Sequence, residues 1–223
     1  MYLSLIHLDP RSTDVLRDIR DPHALHSRIM RAFPGVLDPE EKARSYFGVL
    51  YRLEDDRRTG RPMLYVQSRM MPEWSFLPPG YTRPMGVPNP AVREIGSAYE
   101  RQRAGKVLRF RIRANPTRKV DTKSGPDGVR RNGRRIPLSG PDAYVEWLRR
   151  KGEEFGFELL RAAVAAAGAG ELIRSHSTGR SFQGVLFEGH LVVRDAERFR
   201  AALERGIGPG KAYGFGLLSI GPA

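Results

Sequence analysis

The second half of the chain alternates strand and helix patterns in an order that few folds can satisfy. Residues 107–114 (VLRFRIRA) alternate apolar and basic side chains with period two, the signature of a strand with one buried face. Pro141 opens a helix through residue 151, and residues 158–163 and 184–194 (GVLFEGHLVVR) read as two further strands. Asp195 supplies an N-cap for a helix through residue 204, and a glycine-rich turn then feeds a last apolar strand over residues 213–220. The resulting order, βαββαβ, is the ferredoxin-like arrangement shared with the RNA recognition motif.

The first half starts on the same plan. Residues 2–8 (YLSLIHL) form an opening strand, and Asp21-Pro22 gives the next helix both a cap and a first-turn proline. Leu25, Ile29 and Phe33 recur at four-residue spacing and make a core stripe before Pro34-Gly35 stops the helix. Strands follow over residues 46–53 (YFGVLYRL) and 63–68 (MLYVQS), joined by the polar turn 54–61. Residues 72–90 are too rich in proline for a long regular element, so the pattern predicts an irregular connection and a domain boundary near Gly96. The expectation is an α+β protein with two tandem ferredoxin-like (RRM-like) domains, residues 1–95 and 96–223.

Composition narrows the function classes. The chain has no cysteine, which excludes disulfides, thiolate catalysis and cysteine-ligated metal sites. No stretch reaches eighteen consecutive apolar residues, and the N-terminus lacks a basic-then-apolar leader pattern, so a cytoplasmic protein with no membrane association is expected. The net charge is +13, and residues 101–135 carry thirteen Lys or Arg against two Asp. So concentrated a positive field points to a polyanion such as nucleic acid.

Specific motifs then bring a family into view. The run GIGPGKAYGFGLLSI at residues 206–220 resembles the glycine-rich signature of CRISPR RAMP proteins. Together with MYLS at the start, HALHSRIMRAFP at 23–34, RIRANP at 111–116 and VLFEG at 185–189, it is similar to the CasE family, the endoribonuclease subunit of type I-E Cascade. The resemblance spans essentially the whole chain. It implies metal-independent cleavage, without a cofactor, at the 3′ base of a CRISPR repeat hairpin. The ribose 2′-hydroxyl attacks the adjacent phosphorus and leaves a 2′,3′-cyclic phosphate. The partners it implies are the repeat RNA, as precursor and as mature crRNA, and the other Cascade subunits.

Such a reaction needs proton transfer, alignment and charge stabilisation. The family's catalytic histidine matches His26, whose ordinary pKa near ~6.5 suits proton transfer at neutrality. On a helix His26 lies about 100° from Leu25, at the edge of the core stripe rather than within it. His23, where some relatives carry tyrosine, falls on nearly the same face and serves either as a second proton-transfer group or as a substrate-positioning ring. Arg31 matches a basic residue in some relatives and is a candidate for stabilising the phosphorane, against a bland reading as a solvated helix arginine.

The glycines Gly206, Gly208, Gly210, Gly214 and Gly216 let a backbone approach a phosphate, or simply stop a helix and turn the chain. Arg205 and Ala212 break the Walker A pattern, so ATP binding is not expected, and Lys211 is a candidate RNA contact. The segment TRKVDTKSGPDGVRRNGRRIPL suggests a basic hairpin or mobile loop that grips the RNA stem and orders on binding RNA. With the strand arginines Arg111 and Arg113, the candidate RNA contacts there are Arg118, Lys119, Arg130, Arg131, Arg134 and Arg135. Competing readings are a noncatalytic RRM-like RNA-binding subunit and a metal-dependent nuclease, the latter disfavoured because no HExxH or paired-Asp motif occurs.

Overall fold

A computed structural model of the chain describes residues 1–35, 42–120, 134–164 and 171–223. The first half runs β1 (Tyr2–His7), α1 (Thr13–Arg20), α2 (Pro22–Met30), α3 (Ala43–Tyr46), β2 (Leu50–Asp55), β3 (Pro62–Ser68) and β4 (Ala91–Glu94). These four strands form an antiparallel sheet in the order β2-β3-β1-β4. The second half runs α4 (Gly96–Glu100), β5 (Val107–Ala114), β6 (Thr117–Val120), β7 (Arg134–Pro137), α5 (Pro141–Phe155), β8 (Phe157–Val164), β9 (Glu171–Arg174), β10 (Ser181–Val193), α6 (Ala196–Arg205) and β11 (Leu218–Pro222). Its main sheet is antiparallel in the order β11-β5-β10-β8, and β9 extends β10 beyond that path. In both sheets the first strand of the half lies between the last and the third, so both have one strand order.

Each half buries its own apolar cluster. In the first, Leu25 and Ile29 of α2 pack with Ile6, Val49, Tyr51 and Val66, as the four-residue stripe predicted. In the second, Trp147 and Leu148 of α5 and Phe199 of α6 pack on Phe110, Ile112, Phe187 and Leu191. Polar contacts tie the halves together. Gln67 donates to the Leu203 carbonyl at 2.8 Å and accepts from the Tyr99 hydroxyl at 2.5 Å. Arg52, only 2% exposed, donates to the Leu217 carbonyl and pairs with Glu54. Removing Glu54 would leave that cation buried and uncompensated, a defect of about 3–5 kcal/mol.

Several boundaries differ from the sequence expectation for local reasons. The Ser12 side chain caps α1, a helix the apolar periodicity did not single out. The helix expected through Phe33 ends at Met30, and its last turn tightens onto Arg28, Ile29 and Met30 carbonyls. Residues 46–53 divide between α3 and β2, because Gly48 adopts φ +60° between them. The last strand begins at Leu218 instead of residue 213: Gly214 and Gly216 hold φ near +85° and +89°, which strand geometry forbids. Residues 72–90 carry no helix or strand, matching the irregular connection that their prolines predicted. Among the described residues, no helix is long and apolar enough to cross a membrane.

Candidate active site

The helix α2 starts where it does because Asp21 is extended and its carboxylate accepts the His23 backbone N–H at 2.9 Å. The same carboxylate accepts from the Ser175 hydroxyl at 2.9 Å and from the Ser177 N–H and hydroxyl, residues in the turn between β9 and β10. Burial alone would raise the Asp21 carboxyl, but the bonds from Ser177, His23 and Ser175 outweigh it and hold the group down to about 2. One cap residue therefore both nucleates α2 and ties it to the second half of the chain.

His26 emerges from this helix half-buried, on the side of His23 and about 100° from the buried Leu25. Its ring stacks on Tyr51 of β2, with centroids 6.4 Å apart and planes inclined by 15°. Tyr51 is almost fully buried, and its single hydroxyl proton is shared between the Pro22 carbonyl at 3.0 Å and the Ala212 carbonyl at 3.2 Å. The tyrosine thus pins the first turn of α2 to the glycine-rich loop. A side chain at Gly214 would place Cβ 3.1 Å from the Tyr51 ring, so glycine there serves close approach as well as its positive φ.

Burial pushes the His26 imidazole from its ordinary 6.5 down to about 4, with the positive charge of Arg44 and the nearby His23 acting in the same direction. At pH 7 it is a neutral ring able to accept a proton. Among the described residues Nδ1 is buried without a hydrogen-bond partner. A buried N–H without an acceptor makes the protonated ring a strong acid, ready to give the proton up again.

Beside this helix opens a cavity of about 540 Å³ lined by Lys42, Arg44, Arg135, Arg180 and Lys211, together with Asn115, Thr117, Phe182 and the loop from Gly208 to Tyr213. Among the described residues its lining holds five cations and no carboxylate. Burial depresses both Arg44 and Lys211, and Lys211 is lowered further by Arg44, Lys151 and Arg205, with Glu154 opposing more weakly. A partly buried surface with more cations than nearby carboxylates favours an external anion.

The other sequence candidates distribute unevenly around this centre. Arg31 caps the C-terminus of α2 about 140° around the axis from His26, and its guanidinium lies 4.8 Å from the centroid of the Phe76 ring. Arg111 is engaged by Glu54 and Glu188 between the two halves, and Arg113 donates to the Leu53 carbonyl. Their placement favours joining the halves over contacting RNA. Arg118 and Lys119 are exposed on β6, which pairs antiparallel with β7, so the predicted basic hairpin has its two stems. Arg134 occupies β7 and the exposed Arg135 lines the cavity. Arg130 and Arg131, with the rest of residues 121–133, lie outside the described residues.

Sequence reasoning missed Arg44, Arg180, Lys42 and Tyr51. Arg44 sits on the unpredicted α3, and Tyr51 reads in sequence as one more apolar strand position. The Asp21 cap was legible; its second set of partners, more than 150 residues away, was not.

Comparison with known proteins gives a consistent assignment. The chain is 34% identical to the CRISPR-associated endoribonuclease Cse3 of Thermus thermophilus over 242 aligned residues, covering 100% of both chains. It is 27% identical to the CRISPR system Cascade subunit CasE of Escherichia coli over 206 residues, covering 91% of this chain and 93% of that one. The solved structure of Thermus thermophilus Cse3 bound to an RNA representing a pre-cleavage complex matches 99% of this chain and 98% of that chain, with a TM-score of 0.77 at 33% identity. The model of the CRISPR-associated protein family covers residues 1–222, and the chain belongs to that family.

Proposed function

We propose that this protein is a metal-independent CRISPR endoribonuclease, built from two ferredoxin-like domains spanning residues 1–95 and 96–223. It cuts precursor crRNA at the 3′ base of the repeat stem-loop and stays on the hairpin as a cytoplasmic Cascade subunit. The observation that carries the reading is a half-buried histidine stacked on Tyr51, whose hydroxyl binds the Ala212 carbonyl of a loop lining a cavity that, among the described residues, is cationic without a carboxylate. The full-length likeness to a CRISPR endoribonuclease supports the same chemistry.

Neutral His26 accepts the proton of the ribose 2′-hydroxyl at Nε2 as the O2′–P bond forms. The P–O5′ bond breaks, the 5′-oxygen takes up the proton that the His26 imidazolium gives back, and the products are a 2′,3′-cyclic phosphate and a 5′-hydroxyl. The nucleophile comes from the RNA, so the protein need only move protons, align the attack and balance charge. His23 lies on the same side of α2 as a substrate-positioning group, while the β6–β7 arm and the glycine loop hold stem phosphates. The two-domain reading is supported by the repeated strand order and by the two separate apolar clusters.

The test is cleavage of the repeat hairpin by His26→Ala, with product ends mapped and binding measured in parallel. Cleavage should fall by about 10²- to 10⁴-fold, the usual worth of proton-transfer catalysis, with hairpin affinity nearly unchanged. Undiminished cleavage would remove His26 from the mechanism, and binding without any wild-type cleavage would make the chain a noncatalytic RNA-binding subunit.

A further inference from the structure

The charge that builds on phosphorus during in-line attack needs positive groups beside His26, and the sequence candidate for that task, Arg31, stacks on Phe76 at the far end of α2. Arg44 lies close enough to His26 to act on its charge, and Lys211 shares two cavities with Arg44. Arg44 on α3 and Lys211 on the 3₁₀ turn Lys211–Tyr213 come from opposite halves of the chain, yet both line the cavity of about 540 Å³ and a second of about 300 Å³. The Tyr51 hydroxyl holds this together: the carbonyl it binds belongs to Ala212, directly after Lys211, and the ring it stacks on is His26.

Glu204 lines the smaller cavity and Glu154 acts on Lys211 from a distance, but among the described residues neither cation is held in an ion pair. The Arg44 guanidinium donates to the Val49 carbonyl at 3.1 Å and to the Ser45 hydroxyl at 2.8 Å, both neutral acceptors. Among the described residues no carboxylate forms an ion pair with either side chain. Burial and mutual repulsion make this pair costly as it stands. A phosphodiester entering the cavity would remove that cost, and a phosphorane bearing a further negative charge would gain more than the ground state does.

We propose that Arg44 and Lys211 are catalytic residues that grip the non-bridging oxygens of the scissile phosphate and stabilise the phosphorane. This rests on the endoribonuclease reading above and assigns the charge-stabilising role within it. Neither residue moves a proton. The O2′–P bond forms, the P–O5′ bond breaks, His26 handles the proton, and the two cations balance the charge on phosphorus throughout.

The experiment is single-turnover cleavage of the repeat hairpin at saturating protein by Arg44→Ala, Arg44→Lys and Lys211→Ala. It is run on the normal RNA and on both phosphorothioate diastereomers at the cut site. Each alanine variant should cut about 10²-fold more slowly, the usual loss of one charge-stabilising donor, while hairpin affinity changes by less than about fivefold. Arg44→Lys should recover part of the Arg44→Ala loss. In the wild type, sulfur at the oxygen held by these cations should slow the cut, and that penalty should shrink in the variants. Lys211→Ala leaves the bonds of α3 intact and carries the test should Arg44→Ala fold poorly. Rates within about threefold of wild type, or unchanged thio effects in both diastereomers, would overturn the assignment while leaving the endoribonuclease reading in place. A wild-type protein that binds but does not cut would end both.

Discussion

The neutral state of His26 has a consequence measurable without RNA. An imidazole that titrates near 6.5 in the unfolded chain and near 4 in the folded protein binds its proton more readily when unfolded. Folding stability from this group is therefore complete above pH 6.5 and is lost as the pH falls toward 4. The full separation is worth about 3 kcal/mol at ~1.36 kcal/mol per pH unit, and about 2 kcal/mol of it is lost by pH 5. Asp9 and Asp21 are displaced in the same direction, each from 3.8 down to about 2, so their contributions are lost only below pH 4, persist at pH 5 and do not interfere. Urea unfolding of the wild type and of His26→Gln at pH 8 and pH 5 isolates the effect, since every other titrating group is common to both. The wild type should lose about 2 kcal/mol more than the variant between the two pH values. Parallel losses would mean that His26 is solvated and titrates normally, and the picture of a desolvated proton acceptor would fail. In catalysis, the inflection of kcat/KM that reports the free enzyme's proton acceptor should likewise lie well below that of an ordinary histidine.

Tyr51→Phe keeps the ring that stacks on His26 but deletes the hydroxyl between the Pro22 and Ala212 carbonyls; unfolding should show a loss of about 1–3 kcal/mol, and cleavage should slow more than binding weakens. Cleavage of folded RNA should proceed unchanged in EDTA, and a 2′-deoxy ribose at the cut should block it without abolishing binding, as gel analysis of both substrates would reveal. Replacing Arg130, Arg131, Arg134 and Arg135 by alanine should flatten the slope of log affinity against log salt by about 3, at roughly 0.7–0.9 per phosphate contact, measured by titration from low to high salt. An unaltered slope would reduce the basic arm to a solvated charge cluster.

The elements that sequence could place are those set by short-range rules. The Leu25–Ile29 stripe, the alternation along β5 and the Asp195 cap depend on neighbours within a few residues, and α2, β5 and α6 lie within a few residues of where those rules put them. His26 could be singled out because its family motif is local and because helical geometry rotates it away from Leu25. Partnership across the chain was not legible. Arg111 and Arg113 read as RNA contacts by charge alone, whereas folding sets Arg111 between Glu54 and Glu188 and turns Arg113 toward the Leu53 carbonyl. Arg31 is a candidate for stabilising the phosphorane by its match to a basic residue in some relatives, and its contact with Phe76 was not legible either. Charge and periodicity determined that this chain would fold as antiparallel sheets with helices and present a cationic surface. Which cations face one cavity beside His26 was decided only when Tyr51 brought Ala212 against Pro22, because burial and counter-ion supply are properties of residues distant in sequence and adjacent in space.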